Sequence, residues 1–430
     1  MRILYDIFFI IFAVLYLPYF IIKGKYHTGY LQRLGIYDKS VSSGLAVARP
    51  VWVHAVSVGE MRTASILIEN MRLRFPGRRF IISNTTKTGH AVARKVSSPE
   101  DTLIYFPFDL SFAVSRAVET INPSIFISIE TEIWPNLISE LHERGVPIAL
   151  VNGRLSDASF RYYRIVSFFI GRILDRMSLF CMRTAEDGER IKKLGASEEK
   201  VFVCGNLKFD YRMSQYDTSE RWAALERISE ISGKSDFFVA GSTHRGEEDI
   251  VLAAYKEVRG VFPELRLVIA PRHVERTAEV CRIAEKRGFT PIRISALDSA
   301  DEAIRDGQRR VVFILDVMGR LNEMYSIASV VFLGGSLIKK GGHNFVEPAG
   351  WSKPIITGPH CDNFREMFST FAGRNALLLA RDGRELALRL KGLLGDADAR
   401  IALGKRAKEI VLENRGSCAQ TVSFLSRYLD

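Results

Sequence analysis

Apolar positions recur in two registers along this chain. Over Val51-Trp-Val-His-Ala-Val56 they run almost unbroken, and beyond Glu60 they fall at Met61, Ala64, Leu67, Ile68 and Met71, three or four apart. The first pattern predicts a buried strand over 51–57 and the second an amphipathic helix over 60–75, with the break at Ser57-Val-Gly59. The same alternation predicts strands over 80–84, 125–129, 148–152 and 201–204, with a helix over 136–144 among those between them. Strand–helix order of this kind implies a parallel sheet covered on both faces. The pattern lapses in a polar, charged stretch over 207–235, which reads as an interdomain connection. It resumes with strands predicted over 237–240, 265–269, 311–315, 330–333, 354–357 and 376–379, and with a helix starting near Val274. Residues 400–430 read as one or two amphipathic helices.

One stretch obeys neither register. Residues 3–22 are apolar except for Asp6 and Pro18, and about 20 such residues can span a bilayer. A shallow interfacial anchor is the alternative. No small-residue cleavage site follows, and Lys23, Lys25 and Arg33 outweigh Arg2, which predicts a membrane attachment with the bulk of the chain facing the cytoplasm. The expected organisation is an anchor over 1–22, a Rossmann-like domain over 23–206, the connection over 207–235 and a second Rossmann-like domain with C-terminal helices over 236–430. Two such halves facing each other leave a central cleft where the strand ends converge.

Composition narrows the partners. A hydrophobic content of 47% with 25% charged residues describes an ordinary globular chain, and 430 residues exceed one core. The net charge of +11, from 60 Lys and Arg against 49 Asp and Glu, suggests an anionic partner: nucleic acid, anionic lipid or a phosphorylated substrate. Nucleic acid is disfavoured because the basic residues are dispersed among acids rather than clustered with aromatics. The five cysteines are scattered without a CxxC, which argues against a zinc site or a disulfide framework and for a cytosol-facing chain.

Candidate chemistry gathers at strand ends. Glu60 sits at the first turn of a helix after a strand, where it is either a dipole-complementing Glu or a general base. Thr85-Thr-Lys-Thr-Gly89-His can bind an anionic group, and Glu130 and Glu132, one residue apart, share a face if the chain is extended. Asn152-Gly-Arg154 ends the fourth strand, and Lys208 lies where the first half runs into the connection. In the second half, Ser242-Thr-His-Arg-Gly-Glu-Glu248 suits either a phosphate or a helix cap. Pro271 and Arg272 follow the next strand, with Arg able to fork onto phosphate or carboxylate. Met318, Gly319 and Arg320 follow a third strand. Then come glycine pairs at Gly334-Gly335 and Gly341-Gly342, with Asn344, Phe345, Val346 and Glu347 at a helix start. There Glu347 suits ribose hydroxyls or a capping box. No GxGxxG with a distal acid is present, which weighs against a dinucleotide cofactor.

Together these blocks closely resemble the bacterial Kdo transferases, lipid A glycosyltransferases that add 3-deoxy-D-manno-oct-2-ulosonic acid. The resemblance rests on HAVSVGE (54–60), FPFDL (106–110), ETEIWPN (130–136), NGRLS (152–156), NLKFD (206–210), STHRGEE (242–248), PRH (271–273), GGHNFVEP (341–348) and GPH (358–360), and covers nearly the whole chain. It implies a GT-B glycosyltransferase fold and an inverting, metal-independent transfer of Kdo, with no cofactor, from a CMP-Kdo donor on the second domain to a lipid A precursor, lipid IVA, on the first. It implies Glu60 as general base and Glu130 and Lys208 as transition-state stabilisers. Pro271, Arg272, Met318, Gly319, Arg320, Asn344, Phe345, Val346 and Glu347 would line the CMP pocket. It further implies attachment to inner-membrane lipids. The chain departs from the family at Arg320, where members commonly carry Glu, and at Asn206, where Ser is usual. A different nucleotide-sugar transferase or an epimerase of similar shape is the competing enzyme reading.

Overall fold

The computed structural model describes residues 2–3, 5–11, 29–38, 49–210, 222–232, 235–299 and 310–429. Contacts divide the chain into two compact units, Met1–Asp210 with Asn414–Asp430, and Tyr211–Glu413.

The first unit is built on seven parallel strands: β1 (Val51–His54), β2 (Phe80–Asn84), β3 (Thr102–Tyr105), β4 (Ile125–Ile129), β5 (Ile148–Gly153), β6 (Leu179–Met182) and β7 (Val201–Val203). Their order is β3-β2-β1-β4-β5-β6-β7. β1 stops at His54, short of the expected 57, because Ser57 is already the N-cap of the helix Val58–Arg74 and accepts the Glu60 N–H. Alternate residues of β1 serve opposite layers: Trp52 packs with Phe106 and Phe126, Val51 and Val53 with Met61 and Ile68. With both faces covered, every residue of β1, β2, β4 and β5 is buried, so these strands are apolar runs in the sequence.

The second unit repeats the plan with β8 (Phe237–Thr243), β9 (Arg266–Pro271), β10 (Thr290–Arg293), β11 (Val311–Ile314), β12 (Val330–Leu333), β13 (Ile355–Thr357) and β14 (Leu378–Leu379). The order is β10-β11-β9-β8-β12-β13-β14, again parallel where strands pair. The expected helix near Val274 opens as a 3-10 turn, Val274–Arg276, before the α-helix Thr277–Lys286.

Each sheet has one topological switch point. In the first unit the chain moves outward one way from β1 and the other way from β4; in the second the reversal lies between β8 and β12. Strand carboxyl ends at such a switch leave a crevice between diverging loops, where ligands of open α/β sheets bind.

Two expectations about where segments belong change. Residues 414–430, grouped in the sequence reading with the second half, pack in the first unit. Val422, Leu425 and Leu429 join the cluster of Val53, Ile68 and Met71, and the Asp210 carboxylate accepts the N–H groups of Gly416 and Cys418 at the start of the helix Ser417–Ser426. The stretch 207–235 is also less of a linker than its polarity suggests, since Leu207–Asp210 forms a 3-10 turn in the first unit and Ala223–Ser232 a helix in the second.

Most of the expected anchor over 3–22 lies outside the described residues. Among the described residues no helix is long and apolar enough to cross a membrane. Residues 5–11 are helical, and Asp6, the polar exception in the apolar run, turns onto the first unit. Its Oδ1 accepts from the Ser111 N–H at 3.1 Å and from Asn136 Nδ2 at 2.6 Å. Ile3, Ile7, Phe8, Ile10 and Ile11 are left exposed.

Candidate active site

The switch point of the first unit gathers three carboxylates and two cations. Glu60 arrives from the first turn after β1, held by a hydrogen bond from the Val56 N–H to Oε2 at 2.7 Å and one from Ser57 Oγ to Oε1 at 2.7 Å. Glu60 is thus a first-turn carboxylate locked onto the start of its own helix. It closes a capping arrangement with Ser57, and its carboxylate is fixed at the crevice with lone pairs to spare. Burial pushes its carboxyl above the usual range against the pull of the Ser57 and Val56 hydrogen bonds, and the Glu130 charge adds to the rise. A base of raised pKa is better matched to proton abstraction near neutrality.

Glu130 follows β4 in the left-handed region, φ 66°, and so does Asn152 on the neighbouring strand end, φ 58°. Such backbone is strained for residues with a side chain, and it recurs at functional sites. It also breaks the extended path that put Glu130 and Glu132 on one face. Glu130 Oε1 instead pairs with Arg183 Nη2, and Lys208 Nζ stands 3.5 Å from the same oxygen. Arg183 is anchored by donating Nε–H to the Asn152 carbonyl at 3.1 Å. Lys208 is positioned by two amide oxygens: Asn152 Oδ1 accepts the Leu207 N–H at 3.0 Å and Asn206 Oδ1 the Lys208 N–H at 3.1 Å. Lys208 therefore belongs to the Glu130 network. Arg183, absent from the sequence expectation, is its most buried member. It follows β6, a strand the apolar pattern does not separate from the helix before it.

Glu132 completes the group. Burial, with the charges of Glu60 and Glu130, pushes its carboxyl up to about 8. A carboxyl raised from 4.5 to about 8 favours the fold while protonated, and that contribution is lost as pH rises through this window. The melting temperature of the wild type should therefore fall between pH 5 and pH 8.5, and Glu132→Gln, which copies the neutral form, should flatten the decline. An unchanged slope in the variant, followed by scanning fluorimetry, would contradict this grouping.

Three other motif residues, His54, Asp109 and Thr86, hold the scaffold. His54 is fully buried and stacked on Phe106 at 3.6 Å, its Nδ1 hydrogen-bonds Ser83, and burial pushes its pKa down to about 3. Asp109 accepts the N–H groups of Asn136 and Leu137 at 3.1 and 2.9 Å, so FPFDL caps the helix of ETEIWPN. Thr86 caps its helix through the Gly89 N–H, and Lys87 is exposed beside it.

In the second unit, the two adjacent glutamates of STHRGEE cross-link loops. Glu247, fully buried, accepts the N–H groups of His244, Gly335, Ser336 and Leu337 at 2.6–3.0 Å, tying the loop after β8 to that after β12. Glu248, also fully buried, accepts from Thr243 Oγ1 at 3.2 Å and Arg276 Nη1 at 2.7 Å, reaching the loop after β9. The expected Ser-Thr cap is not formed, since the helix Glu247–Arg259 starts at Gly246 with no side-chain cap.

Pro271 ends β9 and is buried, with Arg272 exposed beyond it. Met318 is exposed, Gly319 is left-handed at φ 81°, and Arg320 pairs with Glu323 at 2.6 Å while lying over the Trp222 ring. Asn344 Oδ1 accepts the Val346 N–H at 3.1 Å ahead of the short helix Val346–Gly350, and Glu347 is half-buried at its start. Phe345 and Val346 are core residues, Phe345 packing on Phe371, so only their backbone can meet a ligand. Among the described residues no group of three or more His, Cys, Asp or Glu side chains is placed to hold a metal ion.

Residues 28–211 match the model of the family described as 3-deoxy-D-manno-octulosonic-acid transferase (kdotransferase). The 3-deoxy-D-manno-octulosonic acid transferase of Haemophilus influenzae is 30% identical over 94% of this chain and 92% of its own length. The enzyme of the same description from Aquifex aeolicus is 29% identical over 84% of this chain and 90% of its own. Among solved structures, the S. aureus MnaA–UDP co-structure superposes with a TM-score of 0.51 over 89% of this chain and 97% of that one. Its sequence identity is 13%, a likeness of fold alone. The two parallel seven-stranded sheets and this neighbour make the fold GT-B-like. By descent over almost its entire length, the chain belongs to the 3-deoxy-D-manno-octulosonic acid (Kdo) transferase family and is a glycosyltransferase.

Proposed function

We propose that the chain transfers Kdo from CMP-Kdo to the lipid A precursor lipid IVA in lipopolysaccharide synthesis, inverting the anomeric centre in a single displacement without a metal. The observation that carries this reading is the cluster at the switch point of the first unit, a fixed Glu60 beside Glu130 paired with Arg183 and Lys208. A single displacement needs one base on the acceptor side and positive charge for the departing phosphate. Glu60 takes the proton of the acceptor's sugar hydroxyl, and Glu130 and Lys208 stabilise the transition state. Arg272, with the backbones of Met318 to Arg320 and Asn344 to Glu347, holds CMP in the second unit.

Attachment to the cytoplasmic face of the inner membrane fits a lipid acceptor. Supporting it are the apolar run over 3–22 with its basic flank and the exposed Ile3, Ile7, Phe8, Ile10 and Ile11 beside the inward-turned Asp6.

Donor choice tests the reading. Offered lipid IVA and either CMP-Kdo or UDP-N-acetylglucosamine, with and without EDTA, the detergent-purified chain should consume only CMP-Kdo, at a rate EDTA leaves unchanged. Turnover of the UDP-sugar alone would overturn the donor, and loss of activity in EDTA the metal-free displacement.

A further inference from the structure

Three histidines that the mechanism above does not use converge at the second unit's strand ends. His244 follows β8, His273 follows β9 and His343 lies in the loop after β12. The Nε2 atoms of His244 and His343 are 3.2 Å apart with the rings stacked at 5.4 Å, and His273 meets His244 edge-on at 6.0 Å between centroids. The arrangement is held from outside the rings. Glu247 fixes the His244 backbone and the Gly335–Leu337 backbone together, and Glu248 with Arg276 ties in the loop that carries His273. Gly335, at φ 68°, leaves the space the rings fill, since a Cβ there would stand 3.2 Å from His343 and 3.3 Å from His244.

We propose that His244, His273 and His343 form the subsite for the phosphate of the donor nucleotide, and that the His244–His343 pair takes up a proton as that phosphate binds. The inference rests on reading the second unit as the nucleotide-sugar site. Two Nε2 atoms in hydrogen-bond contact hold one proton between them, one nitrogen donating and the other accepting. The groups facing His244 are otherwise cationic or neutral: His273 and Arg272 after β9, Arg276 on the following turn, and Lys340 and His343 on the β12 loop. Glu247 is engaged by backbone N–H groups. Burial and these charges hold His244 down at about 4, neutral at pH 7. An anion reverses the local field, so its arrival brings a proton from solvent onto the pair and creates a charge-assisted donor. When the glycosyl–oxygen bond then breaks, its electron pair goes to the phosphate oxygen. The phosphate gains one negative charge, which the proton already on the imidazoles offsets.

Calorimetry on the full chain in detergent tests this, using CMP and cytidine in two buffers of different ionisation enthalpy. At pH 7 the wild type should take up protons on binding CMP and none on binding cytidine. His244→Gln and His343→Gln should bind CMP about tenfold more weakly, with reduced uptake and unchanged cytidine affinity. Variants that bind CMP as tightly as the wild type, with the same uptake, would overturn the subsite. If a variant fails to fold, the wild-type profile decides. The CMP Kd should tighten from pH 8 to pH 6 although the phosphate itself begins to protonate, and a flat or weakening Kd would contradict the proposal. Histidine-dependent binding of UDP in preference to CMP would sink the CMP-Kdo donor while leaving the imidazole subsite standing.

Discussion

Glu60→Gln should lower the turnover of the proposed transfer about 10²- to 10⁴-fold, the usual worth of a positioned general base, while leaving CMP affinity and melting temperature close to wild type. Glutamine keeps the shape of the side chain, and its amide oxygen can still accept from the Val56 N–H or from Ser57, the two groups that hold Glu60 in place. What it loses is the ability to take a proton. The wild-type rate should also fall on the acid side as pH drops through the raised pKa of Glu60, because the base must be ionised to act. That limb should vanish from the residual activity of the variant. A Glu60→Gln enzyme with near-normal turnover would place the base elsewhere.

Glu130→Ala should cost on the order of 3 kcal/mol of stability, the scale for removing one partner of a buried ion pair, and should abolish most activity as well. The asymmetry of the pair decides the size. Arg183 is 1% exposed and Glu130 23%, so deleting the carboxylate takes a counter-charge from a guanidinium that water cannot reach. Lys208 loses its partner in the same step. Glu130→Gly should be less damaging to stability than Glu130→Ala by about 1 kcal/mol, because glycine tolerates the left-handed backbone without penalty. Urea unfolding of the three proteins checks both statements. Alanine and glycine variants as stable as the wild type would show that the Arg183 pair contributes nothing to the fold.

The sheets were legible where strands are buried on both faces, as Val51–His54 and Ile125–Ile129 are, because such strands are apolar throughout. Three strands were not. Thr102–Tyr105 and Thr290–Arg293 lie at sheet edges, half-buried and mixed in character, the latter with Pro291 in place of a ladder donor. Leu179–Met182 is buried but only four residues long and follows an apolar helix, Ser167–Asp175, so the change of period has no room to register. Missing that strand meant missing Arg183 at its end. Glu60, Glu130 and Lys208 could be named from the sequence, but their connection could not. It runs through a left-handed turn at Glu130 and through Asn152, whose side chain reaches a backbone 55 residues on. Glu247 is a similar case, since a carboxylate that reads locally as a cap bonds to a loop 88 residues downstream. The last helix shows its apolar stripe plainly in the sequence, but the stripe says only that a face is buried. It does not say which unit buries it.

Donor, acceptor and base are all read in one product mass spectrum from CMP-Kdo and lipid IVA with the full chain in detergent, wild type and Glu60→Gln run side by side. The wild type should release CMP and shift lipid IVA by one or more Kdo increments, while the variant leaves it almost unshifted. Unmodified lipid IVA with folded wild-type protein and intact, bound donor would contradict the proposed acceptor. Equal shifts in both proteins would contradict Glu60 as the base.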